Sequence, residues 1–324
     1  MRVSHYLEFE DVVSGGIRES VRHQRRMLEQ QGIEYTTEPS LDVDVVHLNL
    51  MGPRSAYCAK RAASRGIPVV IHTHVTAEDF GDSFRLTNLL ARPLRPYLER
   101  VYRLGDLLVC PSTYNESIIE SYADIETRVL TNGVDAGKLE GHESLREAYL
   151  RRYNLSPPVV FMVGHVIKRK GLETFVDAAR AMPDVDFAWF GPINRSLKGR
   201  PTKQLIDSAP ANCTFTGYID DIRGAYGAGD IFFFPTHEEN EGIALLEAMV
   251  TGTPVVVRDI PTFDWLEDGT HCLKATNDFQ GTLERLRENS LRKRLGENAA
   301  VLGREFALSN VAGELVDCYA EVGA

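Results

Sequence analysis

Asp230-Ile-Phe-Phe-Phe-Pro-Thr-His-Glu-Glu-Asn-Glu-Gly-Ile-Ala-Leu-Leu-Glu-Ala-Met249 decides the fold of this 324-residue chain. The apolar run Ile231–Phe234, closed off by Pro235, reads as a strand buried on both faces, the kind that belongs to a parallel sheet. Helical spacing resumes near Ile243–Thr251, so the segment is a strand, a loop and a helix, half of a βαβ unit. Glu239 then falls in the loop at the strand's C-terminal end, and Glu247, eight positions on, about one turn inside the helix. Open α/β sheets bind ligands in that strand-end crevice. A carboxylate held there can accept hydrogen bonds from two neighbouring hydroxyls of a sugar or a ribose, and such charge-assisted bonds are short and strong. A solvated acidic loop before a helix N-terminus, which favours negative charge, explains the same residues without a ligand.

Outward from this unit, short apolar runs keep alternating with longer helical patterns. In the second half strands are expected at Val159–Val163, Asp186–Phe190, Thr214–Thr216, Pro254–Val257 and Cys272–Leu273, with helices near Gly171–Ala181, Ile222–Ala228 and Phe279–Leu286. In the first half strands at Val3–Phe9, Glu34–Glu38, Val43–Leu48, Val69–His72, Leu107–Cys110 and Arg128–Leu130 alternate with helices at Ile17–Gln31, Ser55–Arg65, Leu86–Leu104 and Asn115–Tyr122. Between the halves, Glu140–Pro158 is charged and ends in Ser156-Pro-Pro, the composition of a boundary. The length also suggests two cores. The expected fold is therefore α/β, with two Rossmann-like doubly wound domains at residues 1–150 and 151–306 facing across a cleft. Residues 290–322 read as helical with a break near Ser309-Asn310, and the last helix, about 307–324, is expected to pack back on the first domain.

Composition narrows the function. An apolar fraction of 43% and a charged fraction of 25% are those of a soluble globular protein, and a net charge of −10 argues against nucleic acid as the partner. Cys58, Cys110, Cys213, Cys272 and Cys318 are scattered and never in a C-x-x-C pair, as expected of buried thiols in a reducing compartment. Met1-Arg-Val-Ser-His-Tyr-Leu-Glu lacks the apolar core of a signal peptide, and no window is long and apolar enough to span a bilayer. A cytoplasmic protein is expected.

A second constellation follows the strand expected at Val159–Val163. In Val163-Gly-His-Val-Ile-Lys-Arg-Lys-Gly171 the cations Lys168, Arg169 and Lys170 precede a helix start. Helix N-termini present unpaired N–H groups and partial positive charge to anions. Guanidinium adds bidentate phosphate contact and ammonium a compact point charge. A solvated charge run is the plainer explanation, but cations at an N-terminus oppose the macrodipole and need another reason to be there. Phosphate cations and a carboxylate pair, each after a strand of one sheet, face the same crevice. A nucleotide sugar offers the matching groups: a diphosphate, a ribose diol and a hydroxylated ring.

On these residues the chain resembles the retaining glycosyltransferases of the GT-B fold, family 4 (group 1). The family's E-x7-E motif matches Glu239 to Glu247, its Arg-Lys-Gly element Arg169 to Gly171, its Asn-Gly-Val-Asp element Asn132 to Asp135, and its Gly-Gly pair Gly15 and Gly16. The resemblance implies that Glu239 binds donor-sugar hydroxyls, that Glu247 binds the ribose, and that the amides of Gly242 and Ile243 contact the sugar. It implies that Arg169 and Lys170 hold the diphosphate, that Gly16 is donor-binding, and that His74, in Pro68-Val-Val-Ile-His-Thr-His, reaches the sugar from the N-terminal domain. Retaining transfer through a short-lived oxocarbenium-like state follows, with the departing phosphate itself taking the acceptor's proton. No strand-end D-x-D pair is present and Asp220-Asp221 reads as a helix cap, so neither metal nor cofactor is expected. The chain departs from the pattern at Gly164-His165, where an arginine is usual and Lys168 is a substitute cation, and at Glu241, where phenylalanine is usual.

A narrower pattern is similar to enzymes that glucosylate diacylglycerol from UDP-glucose: Glu-Glu-Asn-Glu-Gly-Ile, Val257-Arg-Asp-Ile-Pro, His74-Val-Thr-Ala-Glu-Asp-Phe and Ser83-Phe. A lipid or lipid-linked glycan acceptor requires membrane contact, and two segments could give it. Residues 17–31 hold four arginines against two glutamates beside Val21, Met27 and Leu28, and residues 84–104 hold five arginines against Glu99 alone, interleaved with leucines. Each cation near an anionic surface contributes about 1 kcal/mol. An amphipathic helix burying its apolar stripe on the sheet while its arginines stay solvated is the plainer explanation of each segment taken alone. A non-catalytic sugar- or lipid-binding subunit and a nucleotide-sugar epimerase share the architecture, though the E-x7-E spacing speaks against the latter.

Overall fold

Two parallel sheets of six strands carry the chain. The structure is a computed structural model that describes residues 1–80, 87–193 and 200–324, with the backbone alone at 79, 80, 87–93, 200 and 201. Contacts divide these residues into two units: one of residues 1–80, Asn88–Gly133 and Phe306–Ala324, the other of Val134–Glu305. Ser83, Phe84, Arg85 and Leu86 lie outside the described residues, as do the side chains of Leu89, Leu90 and Arg92.

The N-terminal unit runs β1 (Arg2–Tyr6), α1 (Gly16–Gln30), β2 (Glu34–Thr36), β3 (Val45–Leu48), α2 (Pro53–Ala63), β4 (Val69–His72), α3 (Ala77–Phe80), α4 (Thr87–Tyr102), β5 (Leu107–Cys110), α5 (Thr113–Glu120) and β6 (Thr127–Val129). Strand order is β2-β1-β3-β4-β5-β6. The chain thus reverses direction across the sheet between β1 and β3, and the loops leaving those strands part to open a crevice. β1 stops at Tyr6, short of the expected Phe9, because the chain turns there with Phe9 at φ 62°. Val21, Met27 and Leu28 of α1 are buried, the latter two in one cluster with Val3, Val45 and the final helix. Burying each contributes about 1.5–3 kcal/mol, so none is free to enter a bilayer while the unit is folded, and charge is what α1 keeps outside.

The second unit contains the 3-10 turns Ala136–Leu139 and His142–Leu145, then α6 (Arg146–Tyr153), β7 (Val159–Val163), α7 (Leu172–Ala181), β8 (Asp186–Phe190), α8 (Arg200–Asp207), β9 (Cys213–Gly217), α9 (Arg223–Ala228), β10 (Ile231–Phe234), α10 (Ile243–Val250), β11 (Val255–Arg258), β12 (Leu273–Ala275), α11 (Phe279–Arg285) and α12 (Asn289–Glu305). Its order, β12-β11-β10-β7-β8-β9, is that of the nucleotide-binding Rossmann sheet, with the reversal between β7 and β10. Aromatic residues fill its core: Phe161, Phe175, Phe187, Trp189, Phe232 and Phe233 are fully buried, with Phe175 edge-on to Trp189 at 5.0 Å. Residues 134–150 belong here because Arg146 bonds the Gly227 carbonyl at 3.0 Å and Asp230 at 2.9 Å, and Tyr149 donates to the Asp221 carbonyl at 2.8 Å.

The last helix, α13 (Leu308–Glu321), is part of the N-terminal unit, where Leu308, Val311, Leu315 and Tyr319 join the core. The chain turns extended at Ala307, just before Leu308, so the break comes ahead of Ser309-Asn310.

Candidate active site

The two loops flanking the reversal in the second unit meet at their tips. The loop after β7 ends in a 3-10 turn, Lys168–Lys170, and in Gly171 at φ 80°. A Cβ on Gly171 would lie 2.2 Å from the Pro235 carbonyl oxygen, so glycine alone lets this turn sit against the end of β10. The contact is stitched by backbone: the His237 amide donates to the Arg169 carbonyl at 2.8 Å, and Arg169 Nη1 to the Glu238 carbonyl at 2.5 Å. Thr236 Oγ1 donates to the Glu238 carbonyl at 2.9 Å and Thr262 Oγ1 to that of Glu239 at 2.8 Å. Gly171→Ala is expected to cost about 2–4 kcal/mol of stability through clash and backbone strain. Urea unfolding checks this, and a loss below about 1 kcal/mol would show that the loops are not in such close contact.

This stitching brings Glu239 onto Lys170. Lys170 Nζ donates to Glu239 Oε2 and lies 4.9 Å above the Phe234 ring, and Arg169 Nη1 stands 3.9 Å from the same oxygen. The side chains of Arg169 and Glu239 are each 12% exposed and that of Lys170 16%. Burial would raise the Glu239 pKa, but the charges of Lys170 and Arg169 and the bonds it accepts outweigh this and hold it below the usual carboxylate value. Lys168 does not join the cluster: its Nζ pairs with Glu173 at 2.9 Å.

Glu247, in α10, is buried and accepts a 2.7 Å bond from the Tyr226 hydroxyl. Gly242, at φ 104°, starts that helix, and its amide and that of Ile243 lie in the first turn, where helical N–H groups have no carbonyl four residues back. Asp221 accepts the Arg223 amide at 3.1 Å and its guanidinium at 2.7 Å just ahead of α9, but the cap position expected of Asp220-Asp221 falls to Ile222.

His74 and Gly16 belong to the N-terminal unit. His74 bonds Asn49 Oδ1 through Nε2 at 3.0 Å and stacks on His72 at 4.3 Å. Burial, with help from His5, drives its pKa down to about 3, so the ring is neutral near pH 7. Gly16 opens α1, and a Cβ there would meet nothing within 4 Å, so packing does not explain the glycine. Asn132 accepts from Ser20 Oγ, and His23 Nδ1 lies 3.1 Å from the carbonyls of Asn132 and Gly133, which holds this element at the end of the N-terminal unit.

The chain matches the family described as Glycosyltransferase Family 4 over residues 20–138 and that described as Glycosyl transferases group 1 over residues 157–289. It is 33% identical to the processive diacylglycerol alpha-glucosyltransferase of Acholeplasma laidlawii, over 99% of this chain and 98% of that protein. The chain belongs to the group 1 glycosyltransferases, family 4. This glycosyltransferase is also 24% identical to the alpha-galactosylglucosyldiacylglycerol synthase of Streptococcus pneumoniae, over 96% of the chain and 86% of that protein. Among solved structures it is similar to Anabaena HepE in complex with UDP-glucose, with TM-score 0.79 at 16% identity over 99% of this chain and all of that one. Sucrose-phosphate synthase from Thermosynechococcus elongatus gives TM-score 0.78 at 15% identity, over 99% of each chain. The fold is GT-B.

Three residues of this glycosyltransferase that hold or brace expected site elements, each within its own unit, were not singled out from sequence. Tyr226 tethers Glu247. Asn49 holds His74, and its only signal was a polar residue directly after the apolar run Val45–Leu48. Arg258 bonds the Pro235 carbonyl at 3.0 Å and Thr174 at 2.8 Å, tying the end of β10 to the first turn of α7 from β11, and its signal was its place in Val257-Arg-Asp-Ile-Pro. Among the described residues no group of three or more His, Cys, Asp or Glu could hold a metal ion.

Proposed function

We propose that this glycosyltransferase moves glucose from UDP-glucose, with retention at the anomeric carbon, to a hydroxyl of a diacylglycerol-type lipid or lipid-linked glycan. The observation that carries the reading is the cluster of Lys170, Arg169 and Glu239 at the sheet's point of reversal, where nucleotides bind in Rossmann sheets. The acceptor class is supported by two full-length relatives whose names specify glycosylated diacylglycerols.

In this reading the second unit holds the donor and the N-terminal unit the acceptor. The donor's diphosphate displaces Glu239 from Lys170 and is gripped by Lys170, Arg169 and the turn at Gly171, while the freed carboxylate turns to the sugar hydroxyls. Glu247 takes the ribose diol, and the amides of Gly242 and Ile243 take the sugar. Gly16, bare of side chain, lets a helix N-terminus approach the diphosphate. His74 contributes a hydrogen bond rather than a charge, because its ring is neutral. The bond from C1 to the β-phosphate oxygen breaks as the acceptor oxygen bonds to C1 on the same face. The acceptor's proton passes to the departing phosphate oxygen, and the cations stabilise the charge that remains. The nucleotide sugar is a co-substrate, and no metal or cofactor enters. Arginines of α1 and α4 hold the enzyme reversibly on the cytoplasmic face of an anionic membrane.

Lys170→Ala is expected to weaken UDP binding by about 10- to 100-fold, the worth of one charge-assisted phosphate contact. Calorimetry reads this directly, and an unchanged affinity would refute the phosphate assignment. The function itself is tested by offering a panel of nucleotide sugars with diacylglycerol vesicles. An α-linked glucolipid is expected, and a β-linked product or no lipid-linked sugar from any donor would overturn the reading.

A further inference from the structure

A cavity of about 280 Å³ opens inside the N-terminal unit, at that sheet's own point of reversal between β1 and β3. Its wall is apolar, made by Leu50, Met51, Val75, Leu94 and Leu98. The tyrosines that also line it turn their hydroxyls to backbone: Tyr97 donates to the Met51 carbonyl at 2.7 Å and Tyr102 to that of Val75 at 2.6 Å. Polar character is confined to Asn49, His72 and His74. His74 and Asn49 bond each other, while His72 Nε2 is buried with no hydrogen-bond partner.

The outer rim is unusual in two ways. Phe9 and Tyr97 line the cavity and are also 54% and 40% exposed, so the apolar surface runs out to solvent. Phe9 holds a left-handed conformation at φ 62°, rare for a bulky side chain, and such strain collects at ligand sites. The loop that carries it is pinned by Glu8, whose carboxylate accepts the amides of Arg54 at 3.1 Å and Ser55 at 2.7 Å at the start of α2. The helix above the cavity, α4, exposes Arg95 and Arg100, and Arg103 just beyond its end is exposed too.

We propose that this cavity takes one acyl chain of the acceptor lipid and sets the acceptor's hydroxyl beside His74 and Asn49. The inference rests on the lipid-acceptor reading above and adds the place where the lipid is held. A free sugar fits poorly, because buried hydroxyls would meet an apolar wall without partners. A glyceride fits both ends: methylenes along the leucines, hydroxyls at the polar group, and an entrance at Phe9 and Tyr97 through which a chain can leave a bilayer.

The test uses the full-length protein and monoacylglycerols with eight- and ten-carbon chains, titrated below their aggregation threshold. Each buried methylene is worth about fourfold in affinity, so the longer chain should bind roughly 15-fold tighter. Val75→Phe and Leu94→Trp, two partly buried wall positions, should each erase that increment. Thermal unfolding and UDP affinity are measured in parallel, and whichever variant keeps both is scored. Equal affinity of the wild-type protein for the two chain lengths overturns the proposal, as does a folded, filled variant that keeps the increment. If the increment is present and lost on filling while no nucleotide sugar is turned over, the cavity stands and the transferase reading fails. If glucose is transferred to lipid and the filled variants leave the lipid KM unchanged, the cavity proposal alone fails.

Discussion

Glu239→Ala is expected to lower kcat for sugar transfer by about 100- to 1,000-fold, the range found when one preorganised polar group of a reaction centre is removed. UDP affinity should stay within about threefold, because the variant keeps Lys170 and Arg169 and releases them from an internal partner. The two readouts separate roles that the resting cluster merges, since Glu239 and Lys170 occupy each other until a ligand arrives. The cations hold the Glu239 pKa below the usual carboxylate value, so the group is ionised at neutral pH and its contribution to stability is lost only as pH falls through that lowered value. Transfer at a quarter of the wild-type rate or more would remove Glu239 from the sugar's surroundings.

Acid is expected to destabilise the N-terminal unit strongly between about pH 6.5 and about pH 5. His5, His47, His72 and His74 stand in a buried column on β1, β3 and β4 and just beyond β4, with neighbouring ring centroids 4.8, 5.9 and 4.3 Å apart. Burial lowers all four pKa values, to about 4 for His5 and about 3 for His74, and well below the ordinary value for His47 and His72. Arg25 lowers His5 further, while Gln24 and Glu10 oppose the shift. Below about pH 6.5 the unfolded chain takes up protons that the folded unit refuses, so stability falls by about 1.4 kcal/mol per histidine per pH unit until each folded pKa is reached. At pH 5 that is roughly 2 kcal/mol each for His5 and His74, about 4 kcal/mol together and a large share of a domain's stability, and His47 and His72 act in the same direction. Denaturant unfolding at pH 8 and pH 5 measures the loss. Stability unchanged between those values would mean that the column is not buried and neutral.

The strands were legible wherever burial on both faces writes a continuous apolar run. Val69–His72, Leu107–Cys110, Val159–Val163, Asp186–Phe190 and Ile231–Phe234 coincide with the expected residues at both ends. Helix α8, Arg200-Pro-Thr-Lys-Gln-Leu-Ile-Asp, was not read: it is only eight residues long and polar on average, with Leu205 and Ile206 as its large aliphatic residues. The meeting of Lys170 with Glu239 was legible through topology, as loops after two strands of one sheet share a crevice, although 69 positions separate them. What sequence could not show is partnership between lone residues on separate elements. Nothing in the spacing of His5, His47 and His72 announces a column, and nothing near Tyr226 or Arg258 says that one tethers Glu247 and the other braces Pro235. For the basic segments, helical periodicity identifies an apolar stripe but not what covers it, and for α1 the cover is α13 and the sheet, so only its charged face is left for a membrane.

The central claim is that one cluster grips both ends of an activated sugar, and a crystal structure of the protein with UDP-glucose tests it most directly. The expected result has diphosphate oxygens on Arg169 and Lys170, glucose hydroxyls on the Glu239 carboxylate and the ribose on Glu247, with the contact between Lys170 and Glu239 opened. A nucleotide sugar bound elsewhere while Glu239 stays closed on Lys170 would contradict the account.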